Sequence, residues 1–184
     1  MAELTGGNTL LDVKLILQKG QVADRQKIAH LGCGASGHFV FPSAIITGKI
    51  GVVYAVDILK TVLDRIERQA FQENMTNIKT VWSDLEIFGA TQIENSCLDA
   101  AFLVNVLYES SKRAEILRES IRLLKKDARL IVVEWKSIAT PFGPPIEKRV
   151  RKDLLEVAGK KLGLHLLEDF EAGPYHFGLV FVKI

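Results

Sequence analysis

Ile28-Ala29-His30-Leu31-Gly32-Cys33-Gly34-Ala35-Ser36-Gly37 is the stretch whose reading decides the fold. Ile28 to Leu31 has the apolar run of a short buried strand, and the glycines at 32, 34 and 37 make the turn that follows it. Glycine lets a backbone turn tightly and approach a ligand with no Cβ in the way. Past the turn, Phe39 to Ile46 reads as a helix, with Pro42 in the first turn, where its missing N–H costs nothing. Gly51 to Val56 is a second apolar strand, and Asp57 closes it. Strand, glycine turn, helix, strand and terminal acid are how an α/β sheet holds a nucleoside, because the acid accepts hydrogen bonds from two vicinal ribose hydroxyls.

Working outward, residues 1–8 hold a Gly6-Gly7 pair and read as a loop. Leu10, Leu11, Val13, Ile16 and Leu17 recur at helical spacing until Gly20, so within an N-terminal segment 1–24 a helix is expected that packs on the sheet or lids the site. On the other side, Asp57 can cap a helix that places Leu59, Leu63, Ile66 and Ala70 on one face. Strands are expected at Asn77–Trp82, Cys97–Val106 and Arg129–Trp135. Phe88–Asn95 is irregular between the first two, and a helix over Lys112–Lys125, capped by Ser110 or Ser111, precedes the third. Ser137 to Pro145 holds three prolines and cannot be a central strand. Val150, Leu154, Val157, Ala158 and Leu162 form a last helical stripe. Leu164–Phe170 and His176–Ile184 are two closing strands around the turn Glu171–Tyr175. Five β-α units and a terminal hairpin predict an α/β, three-layer, Rossmann-like fold with a mostly parallel sheet. No second composition regime interrupts the 184 residues, so a single domain over 1–184 is expected.

The composition narrows the function classes. With 48% hydrophobic and 25% charged residues the chain is globular, and a net charge of +2 implies no strong polyanion partner. Two cysteines, Cys33 and Cys97, make neither a disulfide framework nor a metal cluster, so no metal site is expected. Neither a signal peptide nor a membrane-length apolar run is present, and a cytoplasmic protein with no membrane role is the expectation.

The pattern Gly32-x-Gly34-x-x-Gly37, with Asp57 twenty residues beyond, fits a nicotinamide dinucleotide as well as S-adenosylmethionine. Three features favour the second. A helix precedes the glycine-bearing strand, Asp84 follows the third strand where it can meet an adenine amino group, and the terminal hairpin leaves no room for a hydride-acceptor domain. At these residues the sequence resembles the class I S-adenosylmethionine-dependent methyltransferases of the small-molecule type, over essentially the whole chain. His30–Gly37 is similar to that family's first motif, Tyr54–Asp57 to its acid-terminated second strand, and Trp82–Leu85 to its adenine-contacting segment. Leu98–Leu107 is similar to its fourth-strand motif, and Leu123–Leu130 to its helix-to-fifth-strand link. The resemblance implies a seven-stranded sheet of order 3-2-1-4-5-7-6 with strand seven antiparallel. It also implies S-adenosyl-L-methionine as cofactor, with His30, Gly32, Cys33, Gly34, Gly37, Asp57, Ile58, Asp84, Leu85 and Asn105 around it. Two positions depart from the family pattern. His30 replaces the usual Asp or Glu at the methionine end, where a protonated ring would repel the cofactor's ammonium group, and Lys126-Asp127-Ala128 replaces a proline-glycine turn.

The cofactor carries its own activated methyl, so no fixed catalytic signature is expected, and none stands out. Substrate-side candidates are Tyr108, Glu134, Tyr175 and His176, beside the ends of the fourth, fifth and last strands. The expected partner is a small molecule. The alternatives are an RNA methyltransferase, from the basic cluster Lys148–Lys152; a non-catalytic S-adenosylmethionine-binding or partner-binding module, from His30; and a nicotinamide-dependent oxidoreductase, from the literal glycine pattern.

Overall fold

The computed structural model describes residues 10–184, so the loop expected over 1–8 lies outside the described residues. One sheet holds β1 (Lys27–Leu31), β2 (Val52–Asp57), β3 (Ile78–Trp82), β4 (Leu98–Val104), β5 (Leu124–Trp135), β6 (Leu164–Gly173) and β7 (His176–Lys183). Their order is β3-β2-β1-β4-β5-β7-β6, with β1 to β5 parallel and β7 antiparallel to both its neighbours. The helices are α1 (Val13–Lys19), α2 (Val40–Thr47), α3 (Lys60–Gln72), α4 (Arg113–Leu123) and α5 (Lys152–Lys161).

Strand alternation assigns each side chain to a layer. Leu130 and Val132 of β5 join Leu117 and Leu123 of α4 and Leu155 of α5 in one core. Ile131 and Val133 face the other, with Ile16 of α1, Val40 of α2 and Ile66 of α3. Central β4 is apolar on both faces, as a strand covered by helices on each side must be.

Several local expectations are corrected. Helix α1 does end at Gly20 as expected, but in an ordinary right-handed conformation, and it is Gln21 that takes the positive φ. Gly20 is instead demanded by packing, since a Cβ there would sit 2.4 Å from the Phe102 ring. Asp57 accepts from Leu59 N, but α3 starts only at Lys60, and Leu59 turns outward. On α5 the inward residues are Leu155 and Gly159, whereas Leu154 and Val157 are exposed. The cap position of α4 is Lys112, whose N–H is accepted by Ser110 Oγ. Strand β4 stops two residues early because Asn105 turns to φ 56°. Strand β5 starts five residues early, Leu98 pairing with Leu124 before the register shifts. Asp127, at φ 64°, is the left-handed residue within that irregular stretch of the strand.

Candidate active site

A cavity of about 670 Å³ opens at the carboxyl ends of β1, β2 and β4. This is the point where the strand order reverses, the usual ligand crevice of an open α/β sheet, and the volume is that of a small-molecule site. Every expected cofactor residue except Gly37 lines it. Gly37 serves the packing of the turn, since a Cβ at its φ of 57° would lie 2.4 Å from Phe41 and 2.7 Å from Ile66.

The turn itself is tied to Asp57. Gly34 N donates to Asp57 Oδ2 at 3.1 Å, and Leu59 N donates to Oδ1 at 3.0 Å. Both oxygens keep lone pairs for a diol. Gly34 has φ 66° and no heavy atom within 4 Å of the place a Cβ would take. Packing therefore does not require this glycine, and the space in front of it is cavity. Asp84 lines the far side, its Oδ1 accepting from Glu86 N at 2.9 Å, so it is a turn residue and a site residue at once.

His30 is 3% exposed and stacks on Phe102 at 4.8 Å. Its Nε2 lies 2.9 Å from Ser43 Oγ. Burial drives its pKa down to about 3, so the ring is neutral at physiological pH and the feared repulsion of an ammonium group does not arise. These residues fit an adenosyl ligand with a cationic amino-acid tail: a diol acceptor, an amino acceptor, an open backbone cradle and an uncharged ring.

The sequence matches the methyltransferase-domain family over residues 29–132, more than half of the chain. The chain belongs to the class I S-adenosylmethionine-dependent methyltransferases. It is an enzyme of that family, with S-adenosyl-L-methionine as cofactor, and the nicotinamide reading falls. No curated protein matches the sequence. Among solved structures, it is similar to a SAM-dependent methyltransferase from Aquifex aeolicus, at 21% identity and TM-score 0.87, covering 96% of this chain and 92% of that one. A putative type 11 methyltransferase from Sulfolobus solfataricus is 24% identical with TM-score 0.68, over 86% and 85% of the two chains. The [4+2]-cyclase SpnF is 14% identical with TM-score 0.79, over 93% and 80%. At these identities the likeness establishes the fold, and a cyclase among the neighbours shows that the fold does not settle the reaction.

None of the four substrate-side candidates of this methyltransferase lines the cavity. Tyr108 donates its hydroxyl to Glu109 Oε1 at 2.8 Å, and burial together with that carboxylate pushes the phenol up to about 12. Tyr175 packs edge-on against Phe142. His176 is fully buried under Trp135, with ring centroids 4.1 Å apart, and its Nε2 meets Asn105 Nδ2 at 3.2 Å. Burial lowers His176 to about 4, so it orients the Asn105 amide as a neutral ring. Glu134 points into the opposite core and bonds backbone. Cys33 lines the turn, but burial and the nearby Asp57 charge push its thiol up to about 12, which leaves it inert.

The cavity also contains residues outside the expected cofactor set. His38, Glu86, Glu109 and Ser110 line it, with Leu11 from the segment before α1. His38 Nε2 has no partner among the described residues, and burial lowers its pKa. His38, Glu86, Glu109 and Ser110 each lie within three residues of a motif already singled out, and that adjacency was the available signal.

Proposed function

We propose that this methyltransferase acts on a small, neutral or cationic acceptor, and that residues 1–184 work as one domain. The observation that carries the acceptor class is the charge of the cavity wall. Asp57, Asp84, Glu86 and Glu109 line it, and among the described residues no lysine or arginine does. A phosphate about 8 Å from a single carboxylate would meet roughly 2 kcal/mol of repulsion at an effective dielectric near 20. Anionic acceptors are therefore disfavoured.

The basic cluster behind the RNA alternative is largely consumed by the fold. Arg149 is buried and donates to the carbonyls of Lys136, Ile138 and Pro144. Arg151 pairs with Asp153, and Lys152 with Asp169. When bound, the cofactor supplies an activated methyl on a sulfonium. The chain supplies binding and orientation. In this reading Asp57 takes the ribose hydroxyls, Asp84 the adenine amino group, and His30 and Asn105 the methionine end.

The test has two stages. Thermal shift with S-adenosylhomocysteine at about a hundred times its dissociation constant adds roughly 2.7 kcal/mol, on the order of 5 to 10 °C for a chain of this size. Radiolabelled methyl transfer is then read from three separate pools: neutral and amine metabolites, phosphorylated metabolites, and RNA transcripts. Label in the first pool is expected. Label confined to the phosphorylated metabolites or to RNA refutes the acceptor class.

A further inference from the structure

Glu134 stands next to the end of β5 with no solvent exposure. Its Oε1 accepts from Val106 N at 3.0 Å and from Leu107 N at 2.7 Å, while Oε2 has no partner among the described residues. Val106 lines the cavity and lies against the glycine turn: a Cβ on Gly32, at φ 76°, would come within 2.6 Å of Val106 Cγ2. One buried carboxyl is thus joined through one residue to the floor of the site.

The chemical type at this position is informative. Burial pushes Glu134 up to about 7, against the opposing pull of the Leu107 and Val106 N–H groups and of Arg113. A glutamine could accept the same two bonds with no charge to desolvate. What the ionised carboxylate adds is strength, since charge-assisted hydrogen bonds are roughly twice as strong as neutral ones. The segment it holds begins with the left-handed Asn105 and enters a single 3-10 turn, Leu107–Glu109, so it has little helical structure of its own to fix it.

We propose that Glu134 is a positioning residue: its ionised carboxylate clamps the Val106 and Leu107 amides, and so seats Val106 against Gly32 at the methyl-donor end of the cavity. The functional half of this proposal rests on the reading of the cavity as the S-adenosylmethionine site. The charged and titratable groups that face Glu134 are Arg113 of α4 and Tyr108 of the 3-10 turn, and β7 presents the apolar Phe177 opposite it. Of the other perturbed groups of the site, His30 lies near 3, His176 near 4 and Cys33 near 12, and burial lowers His38 from its ordinary value. A titration near neutrality that disappears in Glu134→Gln therefore belongs to Glu134.

Two readouts test it on the full chain. Amide NMR follows the Val106 and Leu107 signals from pH 5.5 to 8.5, and calorimetry measures S-adenosylhomocysteine affinity over the same range, for wild type and Glu134→Gln. In wild type both amides should move with an inflection near 7, and affinity should rise through it. In Glu134→Gln the inflection should vanish, with affinity about tenfold below wild type at pH 8.5, equal to it at pH 5.5, and no loss of melting temperature at pH 8.5. Amides that do not follow Glu134 overturn the clamp. Amides that follow it, with affinities that are the same in both proteins at every pH, overturn the positioning role. If wild type binds no S-adenosylhomocysteine at any pH while the amides follow Glu134, the clamp stands and it is the cofactor reading that fails.

Discussion

Replacing Glu119 with glutamine tests how the Ser83–Asp84 side of the cavity is held. Glu119 of α4 is fully buried, and Arg122, three residues on in the same helix, pairs with it at 2.6 Å. The carboxylate accepts from Gly89 N at 2.8 Å and Thr91 N at 3.0 Å, and the guanidinium donates to the carbonyls of Thr91 and Ile93 at 2.9 and 3.3 Å. Together they pin the irregular segment between β3 and β4, in which Thr91 Oγ1 meets Ser83 Oγ of the cavity wall at 2.9 Å. Burial alone would raise this carboxyl. The bonds from Arg122, Gly89 and Thr91 outweigh it and hold the group at about 2 rather than 4.5. At about 1.36 kcal/mol per pH unit, that lowering is on the order of 3 kcal/mol of stability at neutral pH, the low end of what breaking a buried ion pair costs. The folded-state pKa is depressed, so the contribution is complete above 4.5 and is lost as pH falls towards 2. Urea denaturation at pH 7 should show Glu119→Gln less stable by about 3 kcal/mol, with a melting temperature roughly 6 to 12 °C lower. At pH 3 the gap should have narrowed. Equal stability at pH 7, or a gap that widens on acidification, refutes the reasoning.

Two further outcomes follow from the site. Asp57→Asn keeps an acceptor for Leu59 N but sets an amide donor against Gly34 N or the diol, so S-adenosylhomocysteine affinity should fall at least about tenfold; unchanged affinity in calorimetry would show that Asp57 serves the turn alone. His30→Asp places a carboxylate in a niche walled by Phe39 and Phe102, so the ligand-free protein should melt lower, while the S-adenosylhomocysteine-induced shift should grow because the ligand's ammonium gains a counter-charge. A smaller shift than wild type would mean that the amino-acid tail lies elsewhere.

The sheet and the glycine-turn side of the cavity were legible because their signals are local. Gly32, Gly34 and Asp57 announce their roles through backbone freedom and strand-end position, and the apolar runs of β1, β2 and β4 need no partner to be recognised. The surroundings of Glu134, His176 and the basic cluster were not, because those side chains are aimed by events outside their own segments. Glu134 reads as a substrate-side acid, yet strand parity turns it into the same core as Val132, and the early left-handed turn at Asn105 brings two amides to meet it. His176 reads as a mouth residue, but antiparallel pairing sets it opposite Trp135 and beneath it. The cluster Lys148–Lys152 reads as an open basic face until the loop after β5 folds over Arg149 and acids from α5 and β6 take its neighbours.

By itself the sequence determined the class of fold, the cofactor and the place of the glycine turn, since hydrophobic period, glycine and a terminal acid act over a few residues. Which carboxylates line the cavity and which meet backbone, which histidines are neutral, and what charge the cavity wall carries were decided only by the tertiary structure. Burial and strand pairing are relations between distant parts of the chain, and they alone set the dielectric and the partners that give each of these groups its chemistry.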